Sequence, residues 1–386
     1  MPSISVIVPV RNEARSIEQT VRALCTQRFA RDQFEVIVAD GASTDATVPI
    51  VRRLQAEFPN LKLVFNPGRL SSAGRNVAIR HATKDVVVIV DGHCHLPDRN
   101  YLTNLATAFE VSGADCLGRP QPLDIPNPTR FQQAVSIARR SRLGHNPSSD
   151  IFSDQAKFVP PQSTAIAYSR TVLQRIGLFD ESFDACEDVE FNERVHAAGL
   201  VCYFTPTLKI VYEPRASWPA LFYQLSRYGR GRGRLAFKHP RSLTLPALVP
   251  PLWAAWLLVG GLLSLLVPLL GAVWLASIGL YAVVLLTAGV VLGRRAGIAV
   301  ALRIPGVFAA IHLGFAWGFW KEVAKHVQAR VSWRKMGAPG ATPGLEAEAH
   351  PTQQNHDPHD FRRHGTRSHL PAAGWQSRSA VGVSRP

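Results

Sequence analysis

The sequence predicts an α/β fold with a mostly parallel central sheet, followed by apolar helices of membrane-spanning length. Three observations carry this. The first 115 residues alternate short apolar runs with amphipathic helical stretches, the order of a parallel sheet covered by helices on both faces. Acidic residues stand at the carboxyl ends of predicted strands, at Asp40 and Asp91, where ligands bind in such sheets. From Ser242 to Gly293 there is no Asp, Glu, Lys, Arg or His. Those 52 residues suffice for two membrane spans of about 20 residues each.

The first strand is "ISVIVPV" (4–10), a continuous apolar run as expected of a strand buried on both faces. Residues 14–28 place Ile17, Val21 and Leu24 at helical spacing, and "FEVIVAD" (34–40) is the second strand. Asp45 is placed to cap a helix whose stripe is Val48, Val51, Leu54 and Phe58. "LKLVF" (61–65) is the third strand, and Ser72 is expected to cap a helix running to about Thr83. "DVVVIVD" (85–91) is the fourth, with Asp98 expected to cap the helix of Leu102, Leu105 and Phe109. From 116 to 240 the pattern is less regular, with a strand at "TAIAYS" (164–169) and a helix starting near Glu187. Two spans follow, at 244–267 and 271–292, with Pro268 near the turn. A third apolar stretch, 304–320, fits either a third span or a helix lying in the membrane interface. The expected organisation is a domain over 1–240, a membrane region over 241–330 and a basic tail over 331–386, disordered from about Ala338.

The 386 residues exceed one ordinary core. A formal charge of +15 invites a nucleic-acid partner, but no nucleic-acid motif accompanies it. The Arg and Lys residues flank the apolar block and fill the tail, as cytoplasmic flanks that meet anionic lipid do. "MPSISVIVPVRNEARS" lacks the basic start and long apolar core of a signal peptide, so the first domain is expected in the cytosol. The five cysteines, odd in number and without a CxxC pattern, read as reduced.

Chemistry concentrates at strand ends. Asn12 and Glu13 follow the first strand; Asp40, Ser43 and Asp45 follow the second; Gly74, Arg75 and Asn76 open a helix. "VVVIVDGHCH" (86–95) ends the fourth strand with Asp91, His93 and His95. Three readings compete there: a zinc site, a divalent metal site that holds a phosphate, or a polar loop. Zinc needs third and fourth ligands that no nearby Cys/His spacing supplies. In "DACEDVEFNERV", Glu187 and Asp188 open a helix, where the macrodipole favours acids whatever their function.

In order and spacing, these segments over residues 4–240 resemble glycosyltransferase family 2, inverting enzymes with the GT-A fold. With the apolar C-terminal third, the chain is similar to membrane-attached glycosyltransferases of bacterial exopolysaccharide assembly, of the succinoglycan glucosyltransferase type. The resemblance implies transfer of a hexose from a nucleotide sugar, UDP-linked, to a lipid-linked saccharide at the inner membrane. It implies Mn²⁺ or Mg²⁺ on the departing diphosphate. Asp91-Gly92-His93 stands where the family has Asp-x-Asp, so Asp91 would anchor the metal and His93 replaces the second acid. Imidazole suits Mn²⁺ better than Mg²⁺. Asp40 would meet the nucleobase, Glu13 would lie near the nucleoside, and Arg75 and Asn76 match the donor pocket, Arg75 meeting phosphate. Glu187-Asp188 matches the Glu-Asp motif, with Asp188 the base and Glu190 in reserve. Gln224, Arg227 and Tyr228 resemble the Gln-x-x-Arg-Trp element of processive synthases, with Tyr replacing Trp. Their basic, Gly-rich surroundings also suit a juxtamembrane run that meets lipid phosphates. The resemblance puts Glu187, Gln224, Arg227 and Tyr228 on the acceptor or product side, and Gln162, Ser163 and Thr164 match the segment that lines the family's acceptor cleft. A processive synthase and a non-catalytic membrane scaffold are the rival readings.

Overall fold

A computed structural model describes residues 1–145 and 149–335; the tail lies outside them. β1 (Ile4–Val10), α1 (Ile17–Cys25), β2 (Phe34–Asp40), α2 (Thr47–Glu57), β3 (Leu61–Phe65), α3 (Ser71–His81) and β4 (Val86–Ile89) follow the expected alternation. Next come β5 (Cys94–His95), α4 (Tyr101–Ser112), β6 (Cys116–Gly118), α5 (Arg130–Arg140), β7 (Lys157–Val159) and α6 (Pro161–Thr164). β8 (Ala165–Ser169), α7 (Arg170–Ile176), α8 (Glu187–Ala197), β9 (Cys202–Phe204) and β10 (Val211–Tyr212) close the sheet region. Five helices end the described chain: α9 (Trp218–Lys238), α10 (Leu245–Ser264), α11 (Pro268–Gly293), α12 (Ile298–Ala301) and α13 (Ile304–Lys335).

The main sheet runs β3-β2-β1-β4-β8-β6-β9-β7. β1 pairs parallel with β2 and β4, and β2 with β3; β8 enters antiparallel beside β4. A two-stranded antiparallel ribbon, β5 with β10, stands apart. Alternation along the strands feeds two cores. Ile4, Val6 and Val8 meet α1, α2 and α4 through Leu24, Leu54 and Leu105. Ile7, Ile37 and Ala39 meet α3, α7 and α8 through Ile79, Leu173 and Phe191. Each fully buried aliphatic of this kind contributes about 1.5–3 kcal/mol.

Ala46 rather than Asp45 precedes α2, and two further expected caps differ. Ser72 lies one residue inside α3, and its hydroxyl donates to the carbonyl of Phe183 at 2.9 Å. Asn100, not Asp98, precedes α4; Asp98 accepts from the Asn100 amide and the Asn104 side chain. In both cases a tertiary or turn partner outcompetes the capping position. Asp45 accepts from the Thr47 amide at 3.0 Å and, through its other oxygen, from the Ala14 amide at 3.1 Å, tying α2 to the loop after β1.

Among the described residues three helices are long and apolar enough to cross a membrane: Leu245–Ser264, Pro268–Gly293 and Ile298–Val331. A third core joins α5 and α9 to this region, with Val135, Ala138, Leu221 and Leu225 against Leu285, Ile304 and Phe308. The expected boundary near 240 falls after α9, yet α9 packs along α13. They run parallel, from Trp218 beside Gly306 to the Phe237 ring stacked on His326 at 3.9 Å. The Gly-rich basic run is therefore a helix. Glycine costs a helix about 1 kcal/mol per residue, and here it permits backbone contact. A Cβ on Gly229 would collide with the carbonyl oxygen of Phe315.

Inside the sheet, Glu35 is buried and accepts from Ser5 Oγ at 2.6 Å, Lys62 Nζ at 2.6 Å and the Thr83 amide at 2.7 Å. Burial alone would raise its pKa; Lys62, Ser5 and Thr83 outweigh it and hold the carboxyl at about 2, from an ordinary 4.5. A depressed folded pKa contributes stability that is present above the unfolded value and lost as pH falls through the folded one. Glu35→Gln is therefore expected to lower the thermal midpoint at pH 7, by the equivalent of about 1–3 kcal/mol. The gap to the parent should close as pH falls from about 4.5 towards 2. Thermal unfolding across pH checks this; a gap that is independent of pH would contradict it.

Candidate active site

The carboxyl ends of β1, β2 and β4 lie side by side, because Val10 registers with Asp40 and Ile7 with Ile89. β1 sits between β2 and β4, so the chain reverses its lateral order there, the crevice where α/β sheets bind ligands. Asp40, Glu13, Asp91 and His93 all lie at these ends. The local backbone is tight. A Cβ on Gly92 would fall 2.7 Å from Val10 Cγ1 and 3.3 Å from Glu13 Cγ. Of the five described non-glycine residues with positive φ, Asn12, Ala42, Arg69 and Cys186 flank this crevice. Such conformations cost about 1–3 kcal/mol each and cluster at functional sites.

Asp40 is buried. Its Oδ2 accepts from the Ser43 amide at 3.1 Å, while Oδ1 is buried with no hydrogen-bond partner among the described residues. That orphaned acceptor suits a donor from outside the chain. Glu13 Oε1 lies 3.0 Å from His93 Nδ1, leaving Nε2 with no hydrogen bond among the described residues. This contact raises the His93 pKa, against burial and with help from Asp91. Asp91 is half-buried, and its Oδ2 accepts from the Tyr212 hydroxyl at 2.6 Å. Burial pushes the Asp91 pKa up, but Arg75, His93 and Tyr212 outweigh it and the net shift is down.

Tyr212 had no signal in the sequence. It arrives on the two-residue strand β10, which pairs with β5 immediately after the Asp91 turn. Behind it, the fully buried Arg119 donates to Tyr101 Oη at 2.9 Å and reaches Tyr212 Oη at 3.5 Å. Arg119 has no carboxylate partner among the described residues, and its charge adds to the field that keeps Asp91 ionised. His95 belongs to β5 and registers with Val211.

The second half of the site comes from α3 and α8. Arg75 is buried in α3, with Nη2 3.1 Å from Glu187 Oε1 and its guanidinium 5.2 Å over the Phe179 ring. Burial pulls its pKa down, but the charges of Glu187, Asp188 and Asp91 more than offset this, and the net shift is up. Arg75 thus joins the Asp91 turn to the Glu187-Asp188 helix start. Its Nε and Nη1 are buried without partners among the described residues. Asn76 is fully engaged: its amide nitrogen donates to the Phe179 carbonyl and to Glu181, and its oxygen accepts from the Phe179 amide. It fixes the loop before α8. Asp188 is partly exposed, and its one protein hydrogen bond among the described residues is from the neighbouring Val189 amide at 2.8 Å. Glu190, the reserve base, is fully buried and paired with Arg194 at 3.0 Å, Lys238 at 2.8 Å and His239 at 3.1 Å. It is unavailable to a substrate.

Of the residues expected on the acceptor side, Gln224 donates to Tyr228 Oη at 3.3 Å, and Arg139 lies 5.8 Å over the Tyr228 ring. Arg227 donates to the Asp184 carbonyl. Gln162 donates to Glu193 at 3.3 Å, Ser163 Oγ to Asp150 at 3.1 Å, and Thr164 Oγ1 to the Arg119 carbonyl at 3.2 Å.

An α/β sheet of this order, with acids after β2 and β4 and the Glu187-Asp188 helix start joined to them through Arg75, has the architecture of the GT-A fold. Comparisons with known proteins agree. The profile of glycosyl transferase family 2 matches residues 5–177. "Succinoglycan biosynthesis protein ExoA" of Rhizobium meliloti is 31% identical over 329 residues, 82% of this chain and 94% of that protein. "Glycosyltransferase AglE" of Haloferax volcanii is 24% identical over 271 residues, 67% of this chain and 81% of that protein. Among solved structures, the mannosyltransferase PcManGT of Pyrobaculum calidifontis, in complex with GDP-Man and Mn²⁺, superposes with a TM-score of 0.54 at 25% identity, covering 84% of this chain and 88% of its own. The chain belongs to glycosyltransferase family 2 and is a glycosyltransferase.

Removing one partner of a buried ion pair costs about 3–5 kcal/mol, because the other charge is stranded. Arg75→Leu is expected to lower the thermal midpoint accordingly. The double variant Arg75→Leu/Glu187→Leu should recover part of the loss. Strict additivity of the two single changes would contradict a direct pair.

Proposed function

We propose that this glycosyltransferase moves a hexose, with inversion, from a UDP-linked nucleotide sugar to a lipid-linked saccharide in exopolysaccharide synthesis. The observation that carries the reading is the convergence of Asp91, Arg75 and Asp188. One side of the crevice suits a diphosphate and the other a general base. The solved mannosyltransferase with a nucleotide sugar and the relative in succinoglycan biosynthesis support it.

Asp40, through its free Oδ1, takes the nucleobase. Arg75 presents buried N–H groups towards phosphate, a role for which a planar guanidinium is suited. Asp91 and His93 fit a divalent ion. Asp91 Oδ1 and His93 Nε2 make no hydrogen bond among the described residues, and Glu13 orients the imidazole as carboxylates do behind metal-bound histidines. Among the described residues no three His, Cys, Asp or Glu side chains are arranged to hold a metal, so diphosphate oxygens and water would complete the shell. The set suits Mn²⁺ better than Mg²⁺. When bound, the ion neutralises charge on the departing diphosphate. Asp188 takes the proton of the acceptor hydroxyl as that oxygen attacks the anomeric carbon from the face opposite the diphosphate.

Membrane attachment follows from α10 and α11, as a multi-pass anchor of the inner membrane with the catalytic residues on the cytosolic side. α13 fits the interface better than a third span. Along its length lies α9, which carries Arg227, Arg230, Arg232, Arg234 and Lys238. An α13 in the interface keeps Lys321, Lys325 and Arg330 on the inner side, as the charge rule prefers.

Removing a general base costs about 10²–10⁴ in rate. Asp188→Asn is expected to lose transfer on that scale while keeping affinity for UDP with Mn²⁺. Asp91→Ala is expected to lose that affinity. Product formation and UDP titration separate them. Full transfer by Asp188→Asn, or unchanged metal-dependent UDP binding by Asp91→Ala, would overturn the roles given.

A further inference from the structure

We propose that α9 positions the base, acting through Asp184 and Gly231, and that it does so from its seat on α13. The inference rests on Asp188 being the base. Residues 179–186 lead directly into it, ending at Cys186 with φ of 60°. From the donor side, α3 holds this loop through Ser72 on the Phe183 carbonyl and Asn76 on Phe179. From the other side α9 holds it more densely. Asp184 forms an ion pair with Arg230 at 2.8 Å and faces Arg234 at 3.6 Å, while Arg227 donates to its carbonyl. Arg234 also donates to the Ser182 carbonyl, and its guanidinium lies 5.6 Å over the Phe183 ring.

Between these arms, the backbone of α9 itself meets the loop. A Cβ on Gly231 would lie 2.5 Å from the Ala185 carbonyl oxygen and 2.8 Å from Cys186 Sγ. The opposite face of α9 is seated as closely on α13. Gly229 lies against the Phe315 carbonyl and Gly233 against Phe319 and Glu322. A Cβ on Gly318 of α13 would collide with the Ser226 carbonyl. Arg234 Nε also reaches Glu322 Oε1 at 2.8 Å, so one side chain spans from the catalytic loop to α13. Close-packed backbones of this kind transmit a displacement rather than absorb it. A shift of α13 is therefore passed to Asp188, whereas Asp40 and Asp91, mounted on the sheet, stay in place. Asp184 and Gly231 are positioning residues: they act through Asp188.

The test uses the full chain in lipid nanodiscs, with Asp184→Asn, Asp184→Ala, Gly231→Ala and Gly229→Ala. Each is assayed for transfer kcat, donor KM, UDP affinity with Mn²⁺, and thermal midpoint. Misplacing a catalytic group by about 1 Å costs on the order of 10²-fold. The expected result is a fall in kcat of about 10- to 100-fold with UDP affinity held. It should include Gly229→Ala, whose added methyl meets α13 rather than the loop. Unchanged kcat in folded Asp184→Ala would overturn the proposal. So would parallel loss of kcat, UDP affinity and thermal midpoint, the mark of a merely structural role. Should the glycine variants fail to fold, the isosteric Asp184→Asn decides alone. Failure of the base reading would look different: the Asp188→Asn variant would then transfer as fast as the parent.

Discussion

The site depends on one buried cation. Arg75 stands where the fields of Asp91, Glu187 and Asp188 meet, three acids delivered by β4 and α8. Without it, the acids would repel one another across a half-buried crevice, and Glu187 would be left in the protein interior without a partner. With it, Asp91 stays ionised despite burial, and the start of α8 is fixed against α3. The geometry is costly: a buried ion pair often only breaks even against apolar packing. A glycosyltransferase site has reason to carry that cost. On the roles proposed for Asp91 and Asp188, the diphosphate end and the base end must keep a fixed separation while the bond between them breaks.

Each half of the site is then secured from a different part of the fold. Asp91 is held by Tyr212 from the β5–β10 ribbon, with Arg119 behind it. Asp188 is held by a loop pinned between α3 and α9, and α9 in turn lies along α13. Asp91 is thus mounted on the sheet side, and Asp188 on the helices α9 and α13. For an acceptor carried by a lipid, this division is physically sensible. On the proposed reading the donor comes from solution and meets the strand ends and Arg75 of α3. On the same reading the acceptor comes through the membrane surface, and the group proposed to activate it is tied to α9 and α13.

Much of this was legible in the sequence, for local reasons. β1 and β2 have the expected bounds because continuous apolar runs read as strands buried on both faces, and β3 keeps its bounds as the edge strand, with Lys62 and Phe65 exposed. Asp40 and Asp91 stood out because an acid after such a run has little structural purpose. Other features depended on partners distant in sequence. Ser72 looked like a cap but serves Phe183, more than 100 positions away. Tyr212 sits in a two-residue strand too short for any periodicity. The glycines at 229, 231 and 233 weakened the helical signal of α9, because their purpose is contact with Ala185 and α13. Glu190 looked like a second base until Arg194, Lys238 and His239 were seen to enclose it. In each case a tertiary contact overrides local propensity, and only the folded chain displays it.

The most direct measurement is nucleotide release by the purified, detergent-solubilised chain, offered a panel of UDP- and GDP-sugars with Mn²⁺, with and without bacterial lipid extract. The account predicts release from one donor, dependent on the lipid extract and abolished in Asp188→Asn. Release that is equally fast without lipid, or that survives in Asp188→Asn, would contradict it.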